Sequence, residues 1–359
     1  MAFDEDAEGL YEAVALAVAE FRDDEVHESR RSWATLRRSI GVRHNDERLH
    51  VYQEDVAAMP FFTFSFPPYQ EDFTEDDIRA LDVGRRQLRT EWQKSIYGPE
   101  KPDDNWRIIL PFANTYKNAF LTMCDGINAH PYHKDGGRLT IFLNGTEGDE
   151  EPPQEAVEWV EKVGNPVAIK DFLAISFALD YDREGGDPLK PQTTIGALRG
   201  QAKPYGGAAA TQQTRAAADQ LVEHCVDFLN TMTCYETADC IVAMPPSDPS
   251  KPFNLPRYLA RKIAKKWGRE DLSEHVTGEP RNSIKGVSRK QKLDTLLGTV
   301  TVEGGVFTDR KVLLLDDLYQ SGVSMNYCGL LLLQAGAKKI FGLACEKTCR
   351  NDDNVSGKI

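Results

Sequence analysis

The stretch Lys311-Val312-Leu313-Leu314-Leu315-Asp316-Asp317-Leu318-Tyr319-Gln320-Ser321-Gly322-Val323-Ser324 decides how the rest of the chain is read. Four apolar residues run into two adjacent acids, and a short turn of small and polar residues follows. A continuous apolar run closed by such a turn is the pattern of a strand buried on both faces of a parallel sheet. The acids then fall at the strand's carboxyl end, where open α/β sheets bind ligands. Gly322, Ser321 and Ser324 fall where the next helix begins. Unpaired N–H groups and the positive end of the helix dipole make an anion site there. Carboxylates for hydroxyls beside a cradle for an anion point to a sugar-phosphate ligand.

The surroundings support an α/β sheet in the C-terminal half. Residues 238–244 read as a second buried strand, stopped by Pro245-Pro246-Ser247-Asp248. A long helix is expected over 208–229, and another over 255–267 with Pro256 in its first turn and Gly268 at its end. Residues 339–345 give the last strand. Strand and helix in alternation predict a parallel sheet flanked by helices.

The first half reads differently. Helices are expected near 7–21, through Trp33 and Leu36, over 74–96 from a Thr74 cap, and near 155–163, with strands at 107–112 and 138–143. Residues 180–192, with Gly185-Gly186, Pro188 and Pro191, have the composition of a linker. Net charge changes sign there. Residues 1–187 hold 20 Lys/Arg against 38 Asp/Glu, or −18, and the remainder holds 23 against 18, or +5, which restores the total of −13. The expected organisation is an acidic α+β domain over 1–189 and an α/β domain over 190–359.

Several classes are disfavoured. No apolar run approaches the ~20 residues of a membrane helix, and the acidic N-terminus lacks a signal peptide's basic and apolar regions. Seven cysteines without a C-x-x-C pair read as free thiols in a reducing compartment. The expected location is the cytoplasm. An N-terminal half at −18 is a poor surface for DNA or RNA phosphates. A Walker B strand also ends an apolar run in acids, but no G-x-x-x-x-G-K-[ST] loop occurs. A response-regulator acid cluster lacks an anion loop continuous with its acids.

Asp316, Asp317 and the turn resemble the PRPP-binding signature of type I phosphoribosyltransferases, in which a strand ends in two acids and a T-T-G-x-T-like loop follows. The resemblance implies that Asp316 and Asp317 hold ribose hydroxyls at the catalytic centre. It also implies that Gln320, Ser321, Gly322, Val323 and Ser324 wrap the 5′-phosphate, Gln320 standing where Thr is commoner. Pro245, Pro246, Ser247 and Asp248 correspond to the family's pyrophosphate loop. Their X-Pro bonds are of the kind that adopts cis at modest cost. Residues 251–292 carry twelve Lys/Arg against four Asp/Glu. The family's mobile loop lies between the two motifs, which makes Lys285, Arg289, Lys290 and Lys292 candidates to meet the phosphates.

With Thr194-Ile195-Gly196-Ala197-Leu198, the 202–207 turn and Asn254-Leu255-Pro256-Arg257, the pattern is similar to the ComF-type branch, without its zinc ribbon. Members link this fold to DNA uptake or metabolism. The resemblance covers roughly 190–350 and implies phosphoribosyl transfer with pyrophosphate release, Mg²⁺ arriving with PRPP, and room for a homo-oligomer. Its alternatives are a PRPP- or nucleotide-sensing module without catalysis and a DNA-handling protein. His130-Pro131-Tyr132-His133 reads first as a surface loop rather than a metal site, Lys347 as a surface lysine, and Tyr319 as a base-stacking or loop-packing ring.

Overall fold

The computed structural model of the chain describes residues 70–81, 105–110, 114–134, 138–204, 208–280 and 289–349, and the backbone of three further strands. Two compact units divide between Phe64 and Ser65. In the unit Met1–Phe64 the described strands are β1 (Gly41–His44) and β2 (Glu47–His50), an antiparallel pair. The helices expected near 7–21 and through Trp33 lie outside the described residues. Among the described residues no helix is long and apolar enough to cross a membrane.

The unit Ser65–Ile359 begins with α1 (Glu75–Ala80), opened by Thr74, whose side chain accepts from the Asp77 amide while Asp77 answers the Thr74 backbone. The helix expected over 74–96 ends its described run at Ala80, and residues 82–90 lie outside the described residues. By Glu91 the chain is in strand β3 (Glu91–Ser95), recruited by pairing with β4 (Asn105–Leu110). Then come α2 (Asn114–Met123), β5 (Ala129–Lys134), β6 (Arg138–Leu143) and α3 (Gln154–Gly164). The order β3, β4, β6, β5 forms an antiparallel sheet. The His130–Pro131 segment expected as a loop is therefore in β5, an edge strand, where proline's missing N–H costs no ladder bond.

The remaining elements are β7 (Val167–Ala168), β8 (Ile175–Tyr181), α4 (Thr194–Ala202), α5 (Gln212–Thr231), β9 (Cys240–Ala243), α6 (Leu255–Trp267), β10 (Glu270–Asp271), β11 (Val276–Gly278), α7 (Arg289–Leu296), β12 (Val300–Val302), β13 (Lys311–Tyr319), α8 (Val323–Gln334) and β14 (Lys339–Lys347). Six strands form the central sheet in the order β10, β9, β13, β14, β8, β7, parallel except for β7 against β8. The α/β expectation, a parallel sheet with helices on its faces, matches this architecture.

Strand β13 explains its own apolar run. Val312 and Leu314 join Cys240, Val242, Ile340 and Ala344 in one core, under α1, α7 and α8. Leu313 and Leu315 join Ile241, Ala243, Phe341 and Leu343 in the other, under α4, α5 and α6. Neither face meets water, so polar residues have no place between 312 and 315. Full burial contributes roughly 1.5–3 kcal/mol for each such side chain.

The boundary expected near residue 190 falls inside this unit. Strand β8 pairs along β14 from Ile175 opposite Phe341 to Tyr181 opposite Lys347, so the sheet takes strands from both sides of that point. The glycine-rich segment is a surface excursion between β8 and α4, closed by Glu184 N–H donating to the Pro191 carbonyl at 3.0 Å. The basic segment expected as a loop through 292 is helical from Arg289.

Candidate functional site

Strands β9 and β13 are parallel neighbours with Ala243 opposite Leu315, and the Met244 N–H donates to the Leu315 carbonyl at 2.8 Å. After β9 the chain passes through α6 to the outer strand β10. After β13 it passes through α8, on the opposite face, to β14 on the other side. Connections that leave neighbouring strands in opposite directions open a crevice at the strands' carboxyl ends. The 245–248 and 320–324 loops are therefore adjacent at that crevice, with the acids beside them.

Asp317 is almost enclosed, its side chain 8% exposed, and its Oδ2 receives both Arg199 Nε at 3.2 Å and Lys203 Nζ at 3.0 Å. Arg199 Nη1 also lies 3.6 Å from Glu346 Oε1 on β14. Burial pushes the Asp317 carboxyl up, but the Lys203 ammonium and Arg199 guanidinium outweigh it and hold it below the usual range. Asp316 goes the other way. Burial and the neighbouring Asp317 charge raise it against the Asp317 N–H, which donates to Asp316 Oδ1 at 2.8 Å. Burial lifts Glu346 to about 7 despite Arg199. The two neighbouring acids thus differ: Asp317 is a fixed, paired charge and Asp316 retains its proton more readily.

Arg199 and Lys203 are the functional candidates that local sequence reading passes over. They stand one helical turn apart on the last part of α4 and at its cap, so an i,i+4 pair of cations on one face was the available signal. Nothing local ties them to an acid well over a hundred residues away.

The second motif is built by Gly322. It caps α8 at φ 83° with no side-chain cap, and a Cβ there would run into the Tyr319 hydroxyl. The first-turn N–H groups of α8 have no intrahelical acceptor, the arrangement that receives anions. Ser321 and Val323 are buried, so Val323 offers backbone rather than side chain, while Gln320 and Ser324 are partly exposed. Tyr319 is buried and packs beneath the loop. Of its two expected placements, packing beside the loop is the one found.

In the 245–248 loop Pro245 is buried and Ser247 exposed, and no cis peptide bond occurs among the described residues. The Asp248 carboxylate accepts from Ser250 N at 3.1 Å and Ser250 Oγ at 2.6 Å, and the Ser250 hydroxyl bond keeps it below its ordinary range. That acid shapes the turn, and its charge is unsuited to holding an anion itself.

The basic candidates separate. Lys285 lies outside the described residues. Arg289 and Lys290 open α7, and Lys292, 3% exposed, is buried within it, which removes Lys292 from the role of a mobile cation. The β11 and β12 ribbon brackets the segment, with Val276 opposite Val302. Lys347 is also buried at 1% exposure on β14, not a surface lysine. All seven cysteines are free and buried. Among the described residues no group of three or more His, Cys, Asp or Glu is arranged to hold a metal ion.

Comparison with protein-family models and with curated proteins finds no match to this chain.

Proposed function

We propose that the Ser65–Ile359 unit has a type I phosphoribosyltransferase-like, ComF-type fold. In this reading it binds PRPP, or a sugar phosphate of the same design, at the carboxyl ends of β9 and β13. The observation that carries the reading is the adjacency of the 245–248 and 320–324 loops after neighbouring parallel strands at the point where connections diverge, with an acid pair beside them. The ribbon between the two motifs supports it by bracketing the basic segment in the expected order.

In this reading the first turn of α8 takes the 5′-phosphate, Asp316 takes a ribose hydroxyl, and the 245–248 loop takes the pyrophosphate. A base nitrogen bonds to C1 of the ribose as the C1–O bond to pyrophosphate breaks, and pyrophosphate departs with the bonding pair. The developing charge is oxocarbenium-like, so orientation and neutralisation do the catalytic part. Arg199 and Lys203 add positive charge near the acids. Among the described residues no group of His, Cys, Asp or Glu is arranged as a protein-built Mg²⁺ site. Mg²⁺ would arrive with the ligand's phosphates and supply neutralising charge there.

The pairing of Asp317 with both Arg199 and Lys203 favours a second reading, a PRPP or nucleotide sensor without catalysis. An acid already neutralised holds a ligand less readily than it holds its own helix. Pyrophosphate release across a panel of bases separates the two: release with at least one base supports transfer. Binding of PRPP with no release from any base supports sensing.

A further inference from the structure

Under the 320–324 loop lies a polar cluster that the reading above does not use. The Tyr319 hydroxyl donates to Asp171 Oδ2 at 2.9 Å and accepts from Asn326 Nδ2 at 3.2 Å. The same Asn326 amide donates to the Gly322 carbonyl at 2.9 Å, and its Oδ1 accepts the Phe172 N–H at 3.0 Å. Asp171 Oδ1 accepts the Leu173 N–H at 3.1 Å. Tyr319, Asn326 and Asp171 are 2%, 0% and 4% exposed.

These bonds tie the segment between β7 and β8 to the residue before the loop and to the glycine at its centre. The Gly322 carbonyl is held from two directions, by the Asn326 backbone N–H at 2.9 Å and by its side chain. A carbonyl fixed toward the helix leaves the following N–H groups no choice but to face out of it. Burying three polar groups is costly unless all are satisfied, and apolar residues of the same shape would fill this core at less cost. What the cluster supplies that they would not is a defined backbone at Gly322.

We propose that Asp171, Tyr319 and Asn326 are positioning residues that preset the phosphate-binding backbone of the 320–324 loop; this rests on the reading of that loop as a sugar-phosphate site. They act through Gly322 and touch no ligand. The 245–248 side of the crevice follows a different strand, β9, and none of these bonds reaches it.

The test titrates the full chain with ribose 5-phosphate and, separately, with inorganic pyrophosphate, both with Mg²⁺. Asn326→Ala and Tyr319→Phe are each expected to weaken ribose 5-phosphate roughly fivefold to tenfold, the effect of about one hydrogen bond, at unchanged pyrophosphate affinity. Tyr319→Phe keeps the ring against Gly322 and serves if Asn326→Ala does not fold. A merely structural role would lower the melting temperature and leave the ratio of the two affinities at its wild-type value. Wild-type ribose 5-phosphate affinity in folded Tyr319→Phe, or equal weakening of both ligands, overturns this inference alone. A wild-type chain that binds neither ligand overturns the reading of the site and this inference with it.

Discussion

Replacing Arg199 by Met removes the guanidinium and keeps much of its volume. The side chain is 19% exposed and faces two carboxylates, Asp317 at 3.2 Å and Glu346 at 3.6 Å, whose side chains are 8% and 5% exposed. Removing one partner of a buried ion pair typically costs ~3–5 kcal/mol, because the remaining charge is left without compensation. Two features reduce the cost here. Lys203 still neutralises Asp317, and Glu346, already lifted to about 7, escapes by keeping its proton. The expected loss is therefore about 3 kcal/mol, a large share of a typical 5–15 kcal/mol. Lys203→Met should cost under about 1 kcal/mol, since that ammonium is half exposed and screened by solvent. Urea unfolding followed by far-ultraviolet circular dichroism should lower the midpoint by about 1 M for Arg199→Met at a slope near 3 kcal/mol/M. The deficit should grow as pH rises through about 7, where Glu346 would otherwise ionise against Arg199. Equal losses for the two variants, or an Arg199→Met loss within about 0.5 kcal/mol of zero, would refute the claim that Arg199 is the central counter-ion.

Glu346 and the buried Asp171 both contribute to the pH response of the unit. Burial lifts Asp171 and Glu346 to about 7 in the folded chain, against ordinary values of 3.8 and 4.5. Between those ordinary values and about 7 these two groups hold protons in the folded chain that the unfolded chain has released, so their contribution to stability should fall as pH rises across that window, with the raised Asp316 carrying the fall somewhat higher. Thermal melts from pH 4.5 to 8 measure this, and Asp171→Asn should flatten the slope; a steeper slope in that variant would exclude Asp171 as a source. Gly322→Ala forces a side chain into a left-handed position against Tyr319 and should cost at least about 1–2 kcal/mol, read as a lowered melting temperature together with lost ribose 5-phosphate binding. A stable, fully binding Gly322→Ala protein would show that the loop does not depend on that backbone shape.

Much of the sheet was legible because its signals are local. Residues 312–315 could only be a strand covered on both faces, and α6 announced itself at both ends. Asn254 accepts the Arg257 N–H, Pro256 sits in the first turn, and Gly268 closes the helix at φ 72°. The division of the chain was not legible. Strand β8 finds its partner β14 across more than 160 residues, and no local pattern encodes that pairing. The Gly185-Gly186 excursion has the composition of a linker because a tight surface turn and a linker use the same residues. The site splits along the same line. Asp316, Asp317 and Gly322 were readable as a strand end followed by a helix start. Arg199 and Lys203 acquire meaning only through contacts 118 and 114 residues away. In the sequence Lys292 and Lys347 read as accessible, because charge usually marks surface. Their long apolar stems instead pack inside, with Lys347 Nζ donating to the Thr348 carbonyl at 3.1 Å.

Calorimetric titration of the full chain with PRPP and Mg²⁺ tests the central claim most directly. Saturable binding is expected, weakened several-fold by Asp316→Asn, since a hydrogen bond from a protonated Asp316 to a ribose hydroxyl is worth about 0.5–1.5 kcal/mol. No heat of binding at millimolar PRPP, or an Asp316→Asn protein that binds as tightly as the wild type, would contradict it.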